Sequence, residues 1–316
     1  MAAPFLSVVM PSFNGAGWIA GALESVRSQA TPDIEVLIVD GDDSDDTEKV
    51  VEGFRNELNI RYFRRPDLAS WQAKTNFAVT EAVGDYVAML HVDDLWKPGR
   101  AAAVRDWIAG SPAAVGHLAP SQLIDLQGRK IGIWRCPFEP SSEAIQRDQL
   151  IERLLVQNFI SCPAPVIRRS AWLELGGMDE SLWYTADWDF YLKLAASGPV
   201  VYHPEALTAF RIHGSSLTVS GSRDSSDFKQ QLQIVLDRHR GLLRPEAAEQ
   251  TLRMARTSIA INASLAIAAA GRPAALLSAV GRLLTLWPKQ LLHYWQWSRF
   301  GERVIPRLRL RLAGKM

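Results

Sequence analysis

With 316 residues, 47% of them apolar and 22% charged, the chain has the composition of a globular protein with ample core, in one large α/β domain or two smaller ones. A net charge of +1 excludes a globally basic nucleic-acid binder, and no nucleic-acid partner is expected. Cys136 and Cys162 have neither metal-ligand spacing nor the pattern of a disulfide framework, which points to a reducing compartment. Met1-Ala2-Ala3-Pro4 runs into a strand without the layout of a secretory signal. No uncharged stretch reaches the ~20 apolar residues of a bilayer span. The nearest, Thr257 to Ala270, contains Asn262 and reads as a packed helix. A cytoplasmic protein is the expectation.

The first hundred residues alternate between strand and helix signals. Leu6–Met10 reads as a strand that ends at the breaker Pro11-Ser12-Phe13-Asn14-Gly15, and a helix follows from about Gly17 to Gln29. Ile34–Val39 is a second strand, closed by Asp40 and an acid-rich loop. A helix, a short strand over Ile60–Phe63, a helix from about Ser70 to Val83 and the apolar run Tyr86–Leu90 complete the series. Alternation of this kind implies βαβ units and a mostly parallel sheet. From about Ala113 the pattern changes to short strands near Ala114–His117, Gln122–Asp125 and Lys130–Trp134. A helix from about Glu143 to Gln157 and an Arg168-Arg169-led helix follow. The sequence then predicts a helix over Asp187–Ala196 and a strand pair ending at Arg211-Ile212-His213-Gly214-Ser215-Ser216. Everything beyond Arg223 reads as helical.

The segment Arg282–Met316 is a compositional outlier. It carries eight Lys or Arg against the single acid Glu302, interleaved with Trp287, Tyr294, Trp295, Trp297 and Phe300. Basic residues among amphipathic aromatics suit an anionic membrane surface, at about 1 kcal/mol per basic residue near the leaflet. A solvated tail with a few packed aromatics is the alternative.

Three carboxylates stand out by position. Asp40 ends the second strand, Asp93 with Asp94 follows the fourth, and Asp187 opens a helix in the second half. Ligands of open α/β sheets bind beyond the carboxyl ends of the strands, where an acidic pair suits a hard cation. Each acid has a plainer use as well. Asp40 suits a turn, Asp94 suits a cap for the helix after Pro98 or a prop for Asp93, and Asp187 suits an N-cap. The acids from Asp42 to Glu48 suit a helix N-terminus. Trp183 and Trp188 suit either an acceptor sugar or the core. His117, His203 and Cys162 read as structural.

In combination these residues match a known pattern. Val9-Met10-Pro11-Ser12-Phe13-Asn14, Val39-Asp40 through Thr47, Ser70 through Asn76, and Gly84-Asp85-Tyr86 through Asp93-Asp94 resemble glycosyltransferase family 2. The likeness continues in Gly176-Gly177-Met178-Asp179-Glu180, Asp187-Trp188-Asp189 and Arg211-Ile212-His213, and covers about residues 6 to 220. It implies the GT-A fold, a Rossmann-like mostly parallel α/β sheet with helices on both faces, here with a C-terminal helical extension. Residues 1–110 would bind the nucleotide-sugar donor, 111–222 would carry acceptor binding and catalysis, and 223–316 would form the helical region with its basic tail.

By the same resemblance Pro11, Phe13 and Asn14 line the nucleobase pocket, and Asp40 bonds the base. Lys74 reaches the ribose or phosphates. Asp93 and His213 bind Mg²⁺ or Mn²⁺ beside the diphosphate, and Asp187 is the catalytic base. The implied activity is inverting transfer of a sugar, from a UDP-sugar in the first instance, to a glycan or polyprenyl-linked acceptor in cell-surface polysaccharide biosynthesis. The implied location is the inner face of the cell membrane.

His91 stands where the family's first metal-site acid usually is, and Ala186 where a glutamate usually precedes Asp187. Asp189 is a rival base, although residues two apart on a helix point about 200° apart. Asp42 and Asp46 stand where glycine is frequent. A degenerate family member that binds nucleotide or glycan without turnover is the non-enzymatic alternative. A nucleotidyltransferase would want a glycine- and base-rich loop after the first strand, and a dinucleotide-dependent oxidoreductase a G-x-G-x-x-G. Neither is present.

Overall fold

The structure, a computed structural model, describes residues 4–141, 143–214, 225–269 and 271–312. Ser215 and Ser216, the boundary at 222/223 and Lys315 of the tail lie outside the described residues. In chain order the elements are β1 (Leu6–Ser12), α1 (Ile19–Arg27), β2 (Ile34–Asp40), α2 (Asp46–Glu52), β3 (Asn59–Arg64), α3 (Trp71–Glu81), β4 (Tyr86–Met89) and β5 (Leu95–Trp96). They continue with α4 (Arg100–Gly110), β6 (Gly116–Leu118), β7 (Ser121–Ile124), β8 (Lys130–Trp134), α5 (Arg147–Val156), β9 (Val166–Arg168) and α6 (Arg169–Glu174). After α7 (Ala186–Ser197), β10 (Val200–Tyr202) and β11 (Thr208–Arg211), the described residues form the α-helices α8 (Ser225–His239), α9 (Pro245–Ala269), α10 (Ala275–Leu284), α11 (Pro288–Ser298) and α12 (Phe300–Leu312).

Seven strands form one sheet in the order β10-β6-β9-β4-β1-β2-β3, parallel except for β9, which runs against both of its neighbours. Alternate residues of the buried strands feed two different cores, as the two-residue period of a strand requires. Val9, Leu37, Val39 and Met89 join α3, α5, α6 and α7 on one face. Val8, Met10, Val36 and Ile38 join α1 and α4 on the other. The expected sheet with helices on both faces is therefore present.

Some local readings change. β1 runs on to Ser12: Pro11 and Ser12 stay in register with Val39 and Asp40, and the Gly41 N–H donates to the Ser12 carbonyl, so the pairing with β2 needs no N–H from the proline. The predicted strand pair ending at Arg211 is not a pair: β10 joins β6 in the large sheet, and β11 joins a second sheet ordered β5-β11-β7-β8. β5 and β9, of two and three residues, are too short to leave a periodic signal. Burial of Glu35 was not legible either. It accepts hydrogen bonds from the Ser7 hydroxyl and from the N–H groups of Val83 and Gly84, which ties β2 to the start of β1 and the entry to β4.

The C-terminal helices pack on the segment from β8 to α5. Ser258 and Asn262 of α9 both donate to the Gln157 side chain just after α5, and Glu302 of α12 accepts from the Arg135 backbone after β8. Among the described residues no helix is long and apolar enough to cross a membrane.

Candidate active site

The carboxyl ends of β1, β2 and β4 open on one edge of the large sheet, where an α/β fold offers its ligand crevice. Around β1 and β2 the structure gathers the residues expected to meet the base. Phe13 is 64% exposed, and the Lys74 ammonium lies 5.2 Å from its ring centre. Lys74 is otherwise buried on α3, and burial pushes its pKa below the usual lysine value despite the nearby charges of Asp40 and Asp42. Gly41 leaves room for it: a Cβ there would sit 2.4 Å from the Lys74 nitrogen.

Asn14 adopts a left-handed conformation with φ of 52°, and its N–H donates to Asp42 at 2.6 Å. Asp42 also accepts from the Thr47 hydroxyl, so it stitches the β1 loop to the start of α2. Asp40 is fully buried. One carboxylate oxygen accepts from the Tyr62 hydroxyl at 2.5 Å and the other from the Asp42 N–H. Its carboxylate thus already has partners on β3 and in its own loop. Tyr62 is not marked in the sequence, and Asp42 is marked only as a helix-terminus acid and a replaced glycine, because the Tyr62–Asp40 and Asn14–Asp42 contacts join separate elements.

The second cluster is built by β5 pairing with β11, which carries the chain after Asp93-Asp94 alongside the chain leading to His213. Asp93 and His213 meet at 2.8 Å, carboxylate to Nε2, although 120 residues separate them. The Arg211 N–H donates to Asp94, its guanidinium donates to the Asp93 carbonyl, and a second nitrogen reaches the Asp125 carbonyl. Asp94 is therefore a tie to β11 and not a cap for α4, whose N-cap is Gly99.

Trp18 is a contributor the sequence did not mark. Its indole stacks on the His213 ring at 5.1 Å, and the Arg211 guanidinium lies 5.4 Å from its centre. Burial works against the Asp93 charge, yet the His213 hydrogen bond and the neighbouring imidazoles hold this carboxyl below its usual range. Asp94, buried beside the charge of Asp93, is pushed well above it. His91 packs edge-on against Trp71, and its burial lowers its pKa.

Among the described residues no three His, Cys, Asp or Glu side chains form a metal cage. Asp93 and His213 nonetheless offer one carboxylate and one imidazole at hydrogen-bond distance, with the Asp93 side chain 23% accessible. An oxygen and a nitrogen donor suit a divalent cation that completes its shell with phosphate oxygens and water.

Asp187 stands in the first turn of α7, partly accessible. One oxygen accepts from the Trp188 N–H at 2.7 Å and the other from the Asn158 side chain at 3.2 Å. Burial pushes its pKa up to about 6, which those two hydrogen bonds only partly offset. Asp189 is in a different situation. It is fully buried and accepts from His239 and Arg238 of α8 at 2.8 Å, with Lys193 at 2.7 Å. Burial would raise its pKa, but these donors hold it far below the carboxylate range. Its carboxylate is spent on joining α7 to α8.

Burial, and then the charges of Asp187, Asp94 and Asp93, raise the Cys162 thiol well above its usual range. Trp188 is core, its indole donating to the Leu154 carbonyl. Trp183 donates to Asp227. His117 and His203 bond each other at 3.0 Å, with His203 stacked on Trp107 at 4.2 Å.

The sequence pattern of Glycosyl transferase family 2 matches residues 7–171. Chondroitin synthase of Escherichia coli is 25% identical over 68% of this chain and 30% of its own length. A PGL/p-HBAD biosynthesis glycosyltransferase of Mycobacterium bovis is 27% identical over 64% of this chain and 73% of its own. The chain thus spans under a third of chondroitin synthase, and 66% of an uncharacterized glycosyltransferase of Rickettsia typhi.

Among solved structures, S. aureus TarS 1-349 in complex with UDP-GlcNAc superposes with a TM-score of 0.66 at 19% identity, over 92% of this chain and 89% of that one. A mannosyltransferase from Pyrobaculum calidifontis in complex with GDP-Man and Mn²⁺ gives 0.57 at 20% identity, over 100% and 89%. Its sheet, its helical layers and a matched pattern covering just over half of its length place the chain in glycosyltransferase family 2, with a GT-A fold.

Proposed function

We propose that this protein is an inverting, metal-dependent glycosyltransferase that moves a sugar from a nucleotide-sugar, in the first instance a UDP-sugar, to a glycan or lipid-linked acceptor in cell-surface polysaccharide biosynthesis. The observation that carries the reading is a pair of acids in contrasting settings: Asp93 bonded to His213 at 2.8 Å, and Asp187, partly accessible and held by Asn158 and the Trp188 N–H, with a pKa raised to about 6. UDP-GlcNAc and GDP-Man in the similar structures, and a chondroitin synthase and a PGL/p-HBAD biosynthesis glycosyltransferase among the relatives, favour this donor and acceptor class.

Residues 1–110 would hold the donor and 111–222 the acceptor, as functional halves of one sheet, with 223–316 as the helical region. Phe13 offers its exposed ring to the nucleobase, with Pro11, Asn14 and Asp40 as the surrounding wall, and Lys74 supplies positive charge near the ribose and phosphates. Asp93 and His213 would hold Mg²⁺ or Mn²⁺, which when bound offsets the charge gathering on the departing nucleoside diphosphate.

The acceptor hydroxyl attacks the anomeric carbon as its bond to the diphosphate oxygen breaks. The hydroxyl proton passes to Asp187, and the electron pair of the broken bond leaves with the nucleoside diphosphate. One acid on the metal and one distant base imply a single in-line displacement with inversion, through an oxocarbenium-like transition state. Asn158 and the Trp188 N–H hold the Asp187 carboxylate in place. The protein would work at the inner face of the cell membrane, with its basic aromatic tail against the anionic leaflet.

Nucleoside diphosphate release from UDP- and GDP-sugars, with Mn²⁺ or Mg²⁺ and a panel of glycan and polyprenyl-linked acceptors, tests the reading. Asp187→Asn is expected to lower kcat by about 10²–10⁴-fold while calorimetric donor affinity stays within a few-fold. Full turnover by Asp187→Asn removes it from the base role. Metal-dependent nucleotide binding without product over the whole panel would favour the degenerate, binding-only protein, for which His91 and Ala186 are the motivating departures.

A further inference from the structure

Exposed apolar side chains are unevenly spread over this molecule. Of the thirteen large apolar residues facing solvent among the described residues, nine lie between Leu276 and Leu308. On α10, Leu276, Leu277, Val280 and Leu284 recur at the spacing that puts them on one side of a helix, with exposures of 45%, 77%, 53% and 78%. Ala279 and Leu283 of the same helix turn the other way, into a cluster with Met254 and Ile261 of α9. Leu286 also turns inward, and Trp287 comes out again at 69% exposure. α10 therefore has two apolar faces and only one of them is covered.

The charge carried by this segment is almost all of one sign, with Glu249 of α9, paired with Arg253, the acid beside Arg282. Residues 271–312 contain eight Lys or Arg and one acid, Glu302. Arg299, Arg303 and Arg307 are turned to the protein: Arg299 donates to the Cys136 carbonyl, Arg303 to Asn262, and Arg307 to the Arg303 carbonyl while lying over Trp134. Arg272, Arg282, Lys289, Arg309 and Arg311 remain exposed, and Glu302 is paired with Arg135. An uncovered apolar stripe, a terminal tryptophan and five exposed cations with no exposed acid in the segment match the chemistry of an anionic bilayer. They do not match a second copy of the chain, which would bring two sets of cations together.

We propose that α10 is an insertion helix, whose leucine face enters the boundary between headgroups and acyl chains of an anionic membrane with Trp287 at headgroup level. This rests on the peripheral attachment proposed above and moves its seat from the charge of the tail to the apolar face of α10. The exposed cations then supply attraction to the leaflet, and insertion supplies residence.

The test is flotation of the intact protein with phosphatidylglycerol–phosphatidylcholine vesicles. Leu277→Ser with Leu284→Ser is expected to weaken binding at least about tenfold, with donor binding unchanged as the check on folding. Brominated acyl chains are expected to quench a fluorescence component that Trp287→Phe removes. Equal binding by the leucine variant, with loss in Arg309→Gln/Arg311→Gln, overturns the insertion and leaves attachment by the tail's charge. Failure of the intact protein to float overturns both. A dimer in sedimentation that the leucine variant dissociates, without vesicle binding, assigns the face to a second copy and overturns the proposal.

Discussion

At the scale of single residues, Asp187 and Asp189 sit two positions apart and have opposite electrostatics. Asp187 holds a carboxyl raised from 3.8 to about 6 in the folded state, so the native protein binds a proton that the unfolded chain has released. The stability this group contributes is complete below pH 3.8 and is lost as pH rises through about 6, an effect of up to ~3 kcal/mol. Asp187→Asn is accordingly expected to melt higher than the parent at pH 7.5 and to lose that advantage near pH 3.5, as calorimetry at the two pH values would show.

The same shift predicts that kcat/KM rises with pH through about 6, since only the ionised carboxylate accepts the hydroxyl proton. A profile flat between pH 5 and 8 would contradict Asp187 as base. Asp189 works with the reverse sign: its folded pKa is depressed, so its contribution is present above about 4 and fades as acid protonates it. Both acids are visible in the sequence, but the difference between them is not. His239, Arg238 and Lys193 decide it, and two of these come from α8, about 50 residues on.

At the scale of elements, the loop at Gly176-Gly177 shows why a short motif has a fixed composition. Both glycines have φ above 70° or at it, a region that strains any side chain. A Cβ on Gly177 would also lie 2.5 Å from the Asn76 amide oxygen. Asn76 holds Met178 from both sides, donating to its carbonyl at 2.8 Å and accepting from its N–H at 2.9 Å, which clips α3 to the loop before α7. Gly177→Ala is expected to lower unfolding free energy by about 1–3 kcal/mol in urea titration.

The pairing of β5 with β11 is the element-scale event that brings Asp93 to His213. No periodicity marks it, because two-residue strands bury too little to leave a pattern. Sequence periodicity instead suggested a β10–β11 pair, where two neighbouring strands in fact serve different sheets.

At the scale of the whole molecule, the C-terminal helices build a core of their own against the end of α5. Tyr294 is fully buried with Val156, Met254 and Ile261, whereas its neighbour Trp295 is 50% exposed. Tyr294→Ala is expected to destabilise by about 3–5 kcal/mol and Trp295→Ala by under about 0.5 kcal/mol, both by chemical denaturation. Equal, small effects would mean that the segment is a loosely attached tail. Packing also redistributes its charge: three of the arginines counted in the basic tail bond the protein itself, and the face left to a partner is apolar.

By itself the sequence determined the class of fold and the family. Buried parallel strands need continuous apolar runs and their helices a 3.6-residue stripe, and motif residues cluster at strand ends whatever the details of packing. It also marked Asp40, Asp93 and Asp187 as candidate site acids, since each closes or opens an element. Only the tertiary structure decided what those acids are. The seating of Asp93 against His213, the closure of Asp40 by Tyr62, the raised pKa of Asp187 and the depressed one of Asp189 all arise between residues distant in the chain. Desolvation and pairing depend on what folding brings within a few ångströms, and no local pattern carries that information.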